Sequence, residues 1–149
     1  MELSEFLVKA KVNTYANSGA SGEILGIDGG KELKYEDGPW LYRDRYFGAH
    51  TFVGEEVVCK DGKAVWSMNY YGQTLSDAID PRELYDFLQA SLRQVDTERP
   101  FRGPEEFKQG DLLYQNQCRG TVESFSGTET IHEQNNKVYE LIYHGGSVR

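Results

Sequence analysis

The sequence contains few residues that would indicate a specific chemistry. Cysteine occurs only at Cys59 and Cys118, without CxxC spacing, which argues against a zinc cage or a disulfide framework. No stretch approaches the ~18 apolar residues of a membrane span, and Glu2 and Glu5 stand where a secretory signal would be basic. We therefore expect a soluble, cytoplasmic protein that has no membrane partner.

Positive charge is also scarce. The chain has 16 Lys and Arg against 24 Asp and Glu, a net charge of −8. Its densest basic stretch, Arg43 to Arg45, is interrupted by Asp44. Such a chain repels phosphate backbones, so direct binding to nucleic acid is not expected.

Motifs for metal, phosphate or covalent chemistry are missing as well. His50, His132 and His144 are dispersed, without HxH or HExxH spacing. Neither a GxSxG elbow nor a phosphate-binding GxxxxGK loop occurs. The sequence therefore predicts no metal and no cofactor and designates no catalytic residue, and it leaves open whether the protein is an enzyme.

What the chain does contain is a repeat. Residues 35–72 resemble residues 107–145, with corresponding positions 72 apart up to Gly48 and Gly120 and 73 apart from Phe52 and Phe125 onward. The later matched positions are Phe52, Gly54, Glu56, Val58, Val65, Trp66, Met68, Tyr70 and Gly72, which correspond to Phe125, Gly127, Glu129, Ile131, Val138, Tyr139, Leu141, Tyr143 and Gly145. Two copies of one pattern should build two copies of one structural unit.

Helical spacing precedes each copy. Leu3, Phe6 and Leu7 recur at the spacing of an amphipathic helix, and the segment around Leu84 to Leu92 repeats this pattern 81 positions later. Asp80, followed by Pro81, is typical of a helix start. After each helix we expect three short strands rich in Val, Ile, Tyr and Phe.

The predicted fold class is α+β, a tandem duplication of an αβββ unit with antiparallel sheets and pseudo-twofold symmetry. At 149 residues and 38% hydrophobic content the chain has the size of one domain, 1–149. Unit one should span about 1–75 and unit two about 80–149. Helices would cover one side of the strands.

The segment from Asn13 to Lys34 is predicted to be a long loop. It contains five glycines, Gly19 among them, and few large apolar side chains. A mobile surface connection is the favoured interpretation, and a lid over a site is the alternative.

A carboxylate on each matched face is the unusual chemical feature. Glu56 alternates with apolar residues in one strand, and Glu129 does so in the corresponding strand. For the faces of successive strands to coincide, we expect a three-residue hairpin loop that pairs Cys59 with Lys63 and places Glu56 opposite Trp66. Gly62 should then be left-handed, as should Asn135 in the second copy.

Two interpretations of these carboxylates stay open, because a buried charge must be paired or hydrogen-bonded. In the first, each Glu accepts hydrogen bonds from Tyr hydroxyls in the core, such as Tyr42 or Tyr70 in the first copy and Tyr114 or Tyr143 in the second. In the second interpretation, Glu56 and Glu129 both line a central cavity and hold a ligand. The candidate ligand-binding residues are Glu56, Glu129, Trp66, Tyr70, Tyr139 and Tyr143.

The segment from Arg99 to Pro104 is stiff and carries two guanidinium groups. Arg99 and Arg102 are suited to binding a carboxylate or phosphate. A rigid connection into the second set of strands is the favoured interpretation.

Four segments of the chain resemble a bacterial domain family of unknown function. They are Phe52 to Val58, Trp66 to Gly72, Phe101 to Pro104 and Tyr139 to Gly146. Members of that family stand alone or follow the helix-turn-helix domain of phage-repressor-type regulators. Because this sequence begins at the first predicted helix, without a DNA-reading domain ahead of it, the resemblance implies sensing rather than direct regulation.

The leading hypothesis is a non-catalytic domain that binds or senses a small molecule in a cleft between the two units. One alternative is a small-substrate enzyme with Glu56 or Glu129 as general base. The other is an interaction module that docks another protein or forms a homodimer through a strand edge or an aromatic patch.

Overall fold

The computed structural model describes residues 1–18 and 22–149, excluding the side chains of residues 17 and 18. Its helices are α1 (Leu3–Val12), α2 (Tyr15–Ser18) and α3 (Pro81–Leu92). Its strands are β1 (Ile24–Leu25), β2 (Lys31–Asp37), β3 (Trp40–Gly48), β4 (Thr51–Lys60), β5 (Lys63–Thr74), β6 (Glu106–Gln109), β7 (Leu112–Thr121), β8 (Ser124–Glu133) and β9 (Asn136–Ser147). Within these residues no helix is both long and apolar enough to cross a membrane.

The strands form one antiparallel sheet in the order β1-β2-β3-β4-β5-β9-β8-β7-β6. We call β2–β5 the first half and β6–β9 the second half. The halves join where β5 pairs with β9, with Tyr70 opposite Tyr143. The predicted α+β class with antiparallel strands is confirmed.

Each half has four strands, so the expectation of three was wrong. The additional strands, β2 and β6, pair with β3 and β7 across tight turns. Those turns begin at Gly38 and Gly110, both with φ of 59°, a left-handed conformation that glycine adopts without steric cost. The segments around Tyr35 and Phe107 are therefore strands themselves.

The helices begin where the sequence predicted. Asp80 caps α3 by accepting a hydrogen bond from the backbone N–H of Arg82 at 2.8 Å, and Pro81 occupies the first helical position. Both long helices bury an apolar stripe against the sheet. The stripe of α1 ends unexpectedly with Lys11, which is 8% exposed.

One face of the sheet forms the core and the other faces solvent. Trp66, Met68 and Tyr139 are fully buried on the face covered by the helices. On the opposite face, Tyr71 and Ile142 face each other across the β5–β9 pair and are 50% and 61% exposed. The matched positions of the repeat therefore lie on the buried face.

The expected hairpin register was wrong. The turn between β4 and β5 has two residues, Asp61 and Gly62, with φ of 51° and 77°. A bulge between Val58 and Cys59 then restores the shared face. Glu56 consequently faces Met68 instead of Trp66.

The hairpin between β8 and β9 repeats this arrangement. Gln134 and Asn135 form the turn, and the bulge lies between Ile131 and His132. The left-handed conformations expected at Gly62 and Asn135 are confirmed, with φ of 77° and 75°. In both hairpins the two-residue turn and the bulge together place the matched residues on one face of the sheet, as the expected three-residue loop would have done.

The segment predicted as one long loop is more structured than expected. It contains α2, β1 and the start of β2. Gly19 lies outside the described residues, so the interpretation as a mobile connection or lid is not tested there.

Candidate functional site

The carboxylate of Glu129 is buried and fully paired. Arg102 donates two hydrogen bonds to it, from Nε at 3.0 Å and from Nη2 at 2.8 Å. The hydroxyls of Tyr114 and Tyr139 donate two more, the latter at 2.8 Å. Burial and the adjacent carboxylate raise the pKa of both tyrosines well above its usual value, so they stay protonated and can donate.

The carboxylate of Glu56 has fewer partners. Lys11 reaches both of its oxygens at 2.7 Å, and the hydroxyl of Tyr42 donates to Oε1. Burial lowers the pKa of Lys11, whereas the charge of Glu56 acts to raise it. This ion pair ties α1 to β4 through the core.

The interpretation of paired core carboxylates identified the hydroxyls of Tyr42 and Tyr114 correctly. It missed the cations. Lys11 follows Leu7 by four residues and so continues the apolar stripe of α1, which was an available signal. Arg102 binds a carboxylate of its own chain, which corrects the interpretation of its segment as a rigid connection only.

The six candidate ligand-binding residues are buried and do not form an open site. Glu56, Glu129, Trp66, Tyr139 and Tyr143 are at most 3% exposed, and Tyr70 is 6% exposed. Trp66 donates its indole N–H to the carbonyl of Val122 at 3.0 Å. Of the six, Tyr70 lines the larger of two cavities and Glu56 the smaller, while the other four line neither. Their assignment to a ligand stays a prediction.

The larger cavity is an open cleft of about 250 Å³ between the first half of the sheet and the helices α2 and α3. Its lining is mostly aromatic and apolar. The lining residues are Tyr15, Lys31, Asp44, Tyr46, Gly48, Ala49, Phe52, Tyr70, Tyr85, Leu88, Gln89 and Arg102.

Among the described residues that line this cleft, only Asp44, on β3, carries a carboxylate. It is 7% exposed and accepts a hydrogen bond on Oδ1 from the hydroxyl of Tyr70 at 2.6 Å. Burial and the nearby charge of Glu56 raise its pKa to about 7, against the opposing effects of Tyr70, Lys11 and Arg102. It can therefore hold or release a proton near neutral pH.

Gly54 explains how Tyr70 reaches Asp44. The two strands place Tyr70 directly opposite Gly54, and a Cβ atom on Gly54 would collide with the ring and hydroxyl of Tyr70. The missing side chain lets the ring lie flat across β4, so that its hydroxyl extends to β3. Gly127 and Tyr143 repeat this contact in the second half.

Sequence reasoning overlooked Asp44, although a signal existed. Tyr42, Asp44 and Tyr46 alternate along β3 and share the buried face with Glu56, which pairs with Asp44 across the strands. The corresponding position in the second half is Asn116. A charged residue in one copy and its neutral isostere in the other mark a position where the two halves differ chemically.

A second, smaller cavity lies behind Asp44. Its volume is about 20 Å³, and Asp44, Lys11, Glu56 and Arg102 are among its lining residues. That volume accommodates about one water molecule, and the walls offer several polar partners. Asp44 thus borders both the open cleft and the buried Lys11–Glu56 pair.

The corresponding region of the second half is filled. Phe101 stacks on Phe125, the counterpart of Phe52, with ring centroids 4.0 Å apart. Asn116 accepts a hydrogen bond from Tyr143 at 2.7 Å and donates one to the carbonyl of Gly103 at 3.0 Å. The residues before β6 therefore occupy the place that remains open in the first half.

Comparison with known proteins identifies a family but no activity. A family model described as a domain of unknown function (DUF5680) matches residues 44–148. No curated protein and no solved structure matches the chain. The matched range includes Asp44, Tyr70 and Arg102. It also includes Glu56 and Glu129.

Proposed function

Because the chain belongs to the DUF5680 family of domains of unknown function, we propose a function from the site itself: the protein binds a small molecule in the cleft between α3 and the first half of the sheet. The proposal places it among non-catalytic sensing domains. Tyr70, one of the six candidates from the sequence, would contact the ligand. The other five candidates would hold the walls of the cleft in place from within the core; they are Glu56, Glu129, Trp66, Tyr139 and Tyr143.

The contrast between the two halves is the observation that carries this proposal. In the second half, Phe101 packs on Phe125 and leaves no comparable cleft among the described cavities. In the first half, the corresponding Phe52 lines an open cleft beside Asp44. A cleft kept open where the same framework can be filled is expected at a binding site, since unfilled apolar space costs stability.

Size and composition support the same function. Ligand sites are concave and mostly apolar, with a few polar groups that fix orientation. The cleft of about 250 Å³ is below the range of roughly 300–1,000 Å³ seen for drug-sized ligands. A metabolite-sized molecule is the matching occupant.

A duplication explains why the comparison between halves is informative. We infer that the halves descend from one repeated unit, supported by the constant spacing of 73 between matched residues of β4–β5 and β8–β9. The reversal of strand order across the β5–β9 seam accords with this origin. Function would then have developed in one copy while the other retained a filled core.

Native mass spectrometry of the purified protein tests the proposal. A small molecule that travels with the protein would appear as excess mass over the denatured chain. Gln89→Trp should abolish this excess, because residue 89 lines the cleft and a large side chain there would fill it. The matched control is Asp86→Trp, on the exposed side of the same helix, which should retain the excess. Excess mass that survives Gln89→Trp would place the ligand elsewhere.

If the purified protein shows no excess mass, its ligand has to be searched for directly. Thermal unfolding in the presence of a metabolite collection would reveal a stabilising ligand, since a ligand that binds only the folded state raises its stability. The proposal fails if no compound stabilises the parent protein more than the Gln89→Trp variant.

Proton abstraction by Asp44 is the second candidate function. A carboxylate with a pKa of about 7 in an aromatic cleft has the properties of a general base. This differs from the hypothesis based on Glu56 and Glu129, whose oxygens are occupied by Lys11 and Arg102. Turnover of any cleft ligand that persists in Asp44→Asn would exclude this role.

A further inference from the structure

We infer that the ligand of this cleft is an organic ammonium ion, whose charge lies against Asp44 and whose apolar substituents contact the surrounding aromatic rings. This inference rests on the proposed binding function and specifies its ligand class. It follows from the walls of the cleft and from the balance of buried charges.

Aromatic side chains dominate the walls. Tyr15, Tyr46, Phe52, Tyr70 and Tyr85 all line the cleft. The faces of aromatic rings carry negative partial charge and attract cations, and rings grouped around a pocket are typical of sites for quaternary ammonium ligands. The apolar groups of such a ligand also bury favourably against the rings.

Two of these rings already contact cations of the protein. The guanidinium of Arg102 lies 5.7 Å from the centroid of Tyr70, and the ammonium of Lys31 lies 5.6 Å from that of Tyr46. Arg102 is neutralised by Glu129. Lys31 is only half-buried, so solvent screens its charge.

The buried charges do not balance. Asp44, Glu56 and Glu129 are the buried carboxylates around Arg102 and the two cavities. Their cations are Lys11, which is buried, and Arg102, whose side chain is 10% exposed. Three negative charges against two positive ones leave one negative charge uncompensated when all are ionised. Glu56 and Glu129 each have their own cation, so the excess falls on Asp44, within the cleft.

Asp44 is available to a ligand. In the part of the chain that the structure describes, the only hydrogen bond of its carboxylate is the one from Tyr70 to Oδ1. No cation of the described residues forms an ion pair with it. A buried carboxylate in this position gains either from a proton or from a cation supplied from outside.

Titration of Asp44 makes this binding depend on pH. The charged and titratable groups that line the two cavities with Asp44 are Lys11 of α1, Tyr15 of α2, Lys31 of β2, Tyr42 and Tyr46 of β3, Glu56 of β4, Tyr70 of β5, Tyr85 of α3 and Arg102. Tyr85 of α3 donates its proton to the carbonyl of Ala49. Burial raises the pKa of Tyr15 to about 12 and raises the pKa of Tyr70 well above its usual value, so neither changes charge near neutral pH. Because the pKa of Asp44 is about 7, the proton and the ligand compete for its carboxylate near neutral pH.

Three probes of nearly the same shape test the ligand class. Choline carries a quaternary ammonium, 3,3-dimethyl-1-butanol replaces it with a neutral tert-butyl group, and 3,3-dimethylbutanoate is an anion. Titration followed by protein NMR gives affinities even for weak binding. We expect choline to bind at least about tenfold more tightly than the alcohol and the anion to bind most weakly.

Asp44→Asn removes the charge with little change of shape. The second half shows that an amide fits this position, since Asn116 accepts a hydrogen bond from Tyr143 as Asp44 does from Tyr70. We expect the variant to lose its preference for choline while its affinity for the alcohol stays unchanged. A variant that binds choline as tightly as the parent would overturn the inference.

The pH dependence of the parent protein gives a second measurement that needs no variant. Choline keeps its charge at every pH, so any change in its affinity reports on the protein. With a pKa of about 7 at Asp44, affinity should fall from pH 7.5 to pH 5.5 by about sixfold if the neutral form binds about tenfold more weakly, and by at most about 25-fold if it does not bind. A constant affinity over this range would contradict the role of Asp44.

The outcomes separate this inference from the proposed function. If the alcohol or the anion binds at least as tightly as choline, and Gln89→Trp abolishes that binding, the ammonium class is wrong but the cleft is still the binding site. If none of the probes binds at millimolar concentration, the ammonium class is likewise rejected. The binding function is then decided separately by native mass spectrometry and the metabolite screen.

Discussion

Corresponding positions in the two halves carry the same framework with different charges. In the second half, Glu129 is completely buried and held by Arg102 and two tyrosines, and its neighbour across the strands is the neutral Asn116. In the first half, Glu56 has Lys11 and one tyrosine, and its neighbour is Asp44.

If the halves descend from one repeated unit, as we propose, the difference shows how such a unit can acquire a site. In the second half the charges of Glu129 and Arg102 balance and Phe101 fills the space beside them, as expected for a structural core, because buried polar groups must be satisfied. The first half retains an unbalanced carboxylate beside an open cleft. Positions that break the local pattern of a fold concentrate at functional sites, so the comparison supports the proposed site without knowledge of the ligand.

The largest expected effect is the loss of the cation in the filled half. Arg102→Met leaves Glu129 buried without its counter-charge, and removing one partner of a buried pair typically costs about 3–5 kcal/mol. Urea unfolding at neutral pH measures this. Adding Glu129→Gln should recover part of the loss, because the uncompensated charge is then gone. If the double variant is no more stable than Arg102→Met, the charge imbalance is not the cause.

A cavity created in the second half should make it resemble the first. Phe101→Ala removes the ring that stacks on Phe125 and should lower the free energy of unfolding by about 3 kcal/mol, as expected for a large buried aromatic. Phe52→Ala is the matched variant, and it should cost less because Phe52 lines an open cleft. Equal losses would contradict the distinction between a filled and an open half.

The smallest expected effect is the pH dependence that Asp44 imposes on stability. Its pKa rises from 3.8 to about 7 on folding, so folding favours the protonated form, and stability falls as pH rises toward and through 7. Relative to Asp44→Asn, the parent should lose about 2 kcal/mol between pH 5.5 and pH 8. Urea unfolding of both proteins at the two pH values measures the difference. Asn116→Asp should introduce a similar dependence in the second half.

The sequence predicted the buried face of the sheet but not the partners of its charges. Alternation places Glu56 and Glu129 among apolar residues, and that pattern is local. Their cations come from α1 and from the segment before β6, and only tertiary packing brings Lys11 and Arg102 to them. No periodicity within a strand encodes such a contact.

The errors in the predicted strands have a related origin. A two-residue turn followed by a bulge yields the same facing pattern as a longer loop, so the residues on each face could not distinguish them. Asp44 was overlooked because only the positions at which the two repeats carry the same or similar residues were considered. The informative positions of β3 and β7 are those at which the copies differ, as Asp44 and Asn116 do.

The order of the strands also determines how the chain can assemble. Of the strand pairs that the structure describes, all join neighbours in sequence except β5–β9, which brings together residues as distant as Tyr70 and Tyr143. Local pairs close early and at low entropic cost, whereas distant ones form slowly. We therefore expect φ-values to be high within the hairpins and low along the β5–β9 seam, so that two preformed halves meet in a single late step and the cleft takes its final shape only then.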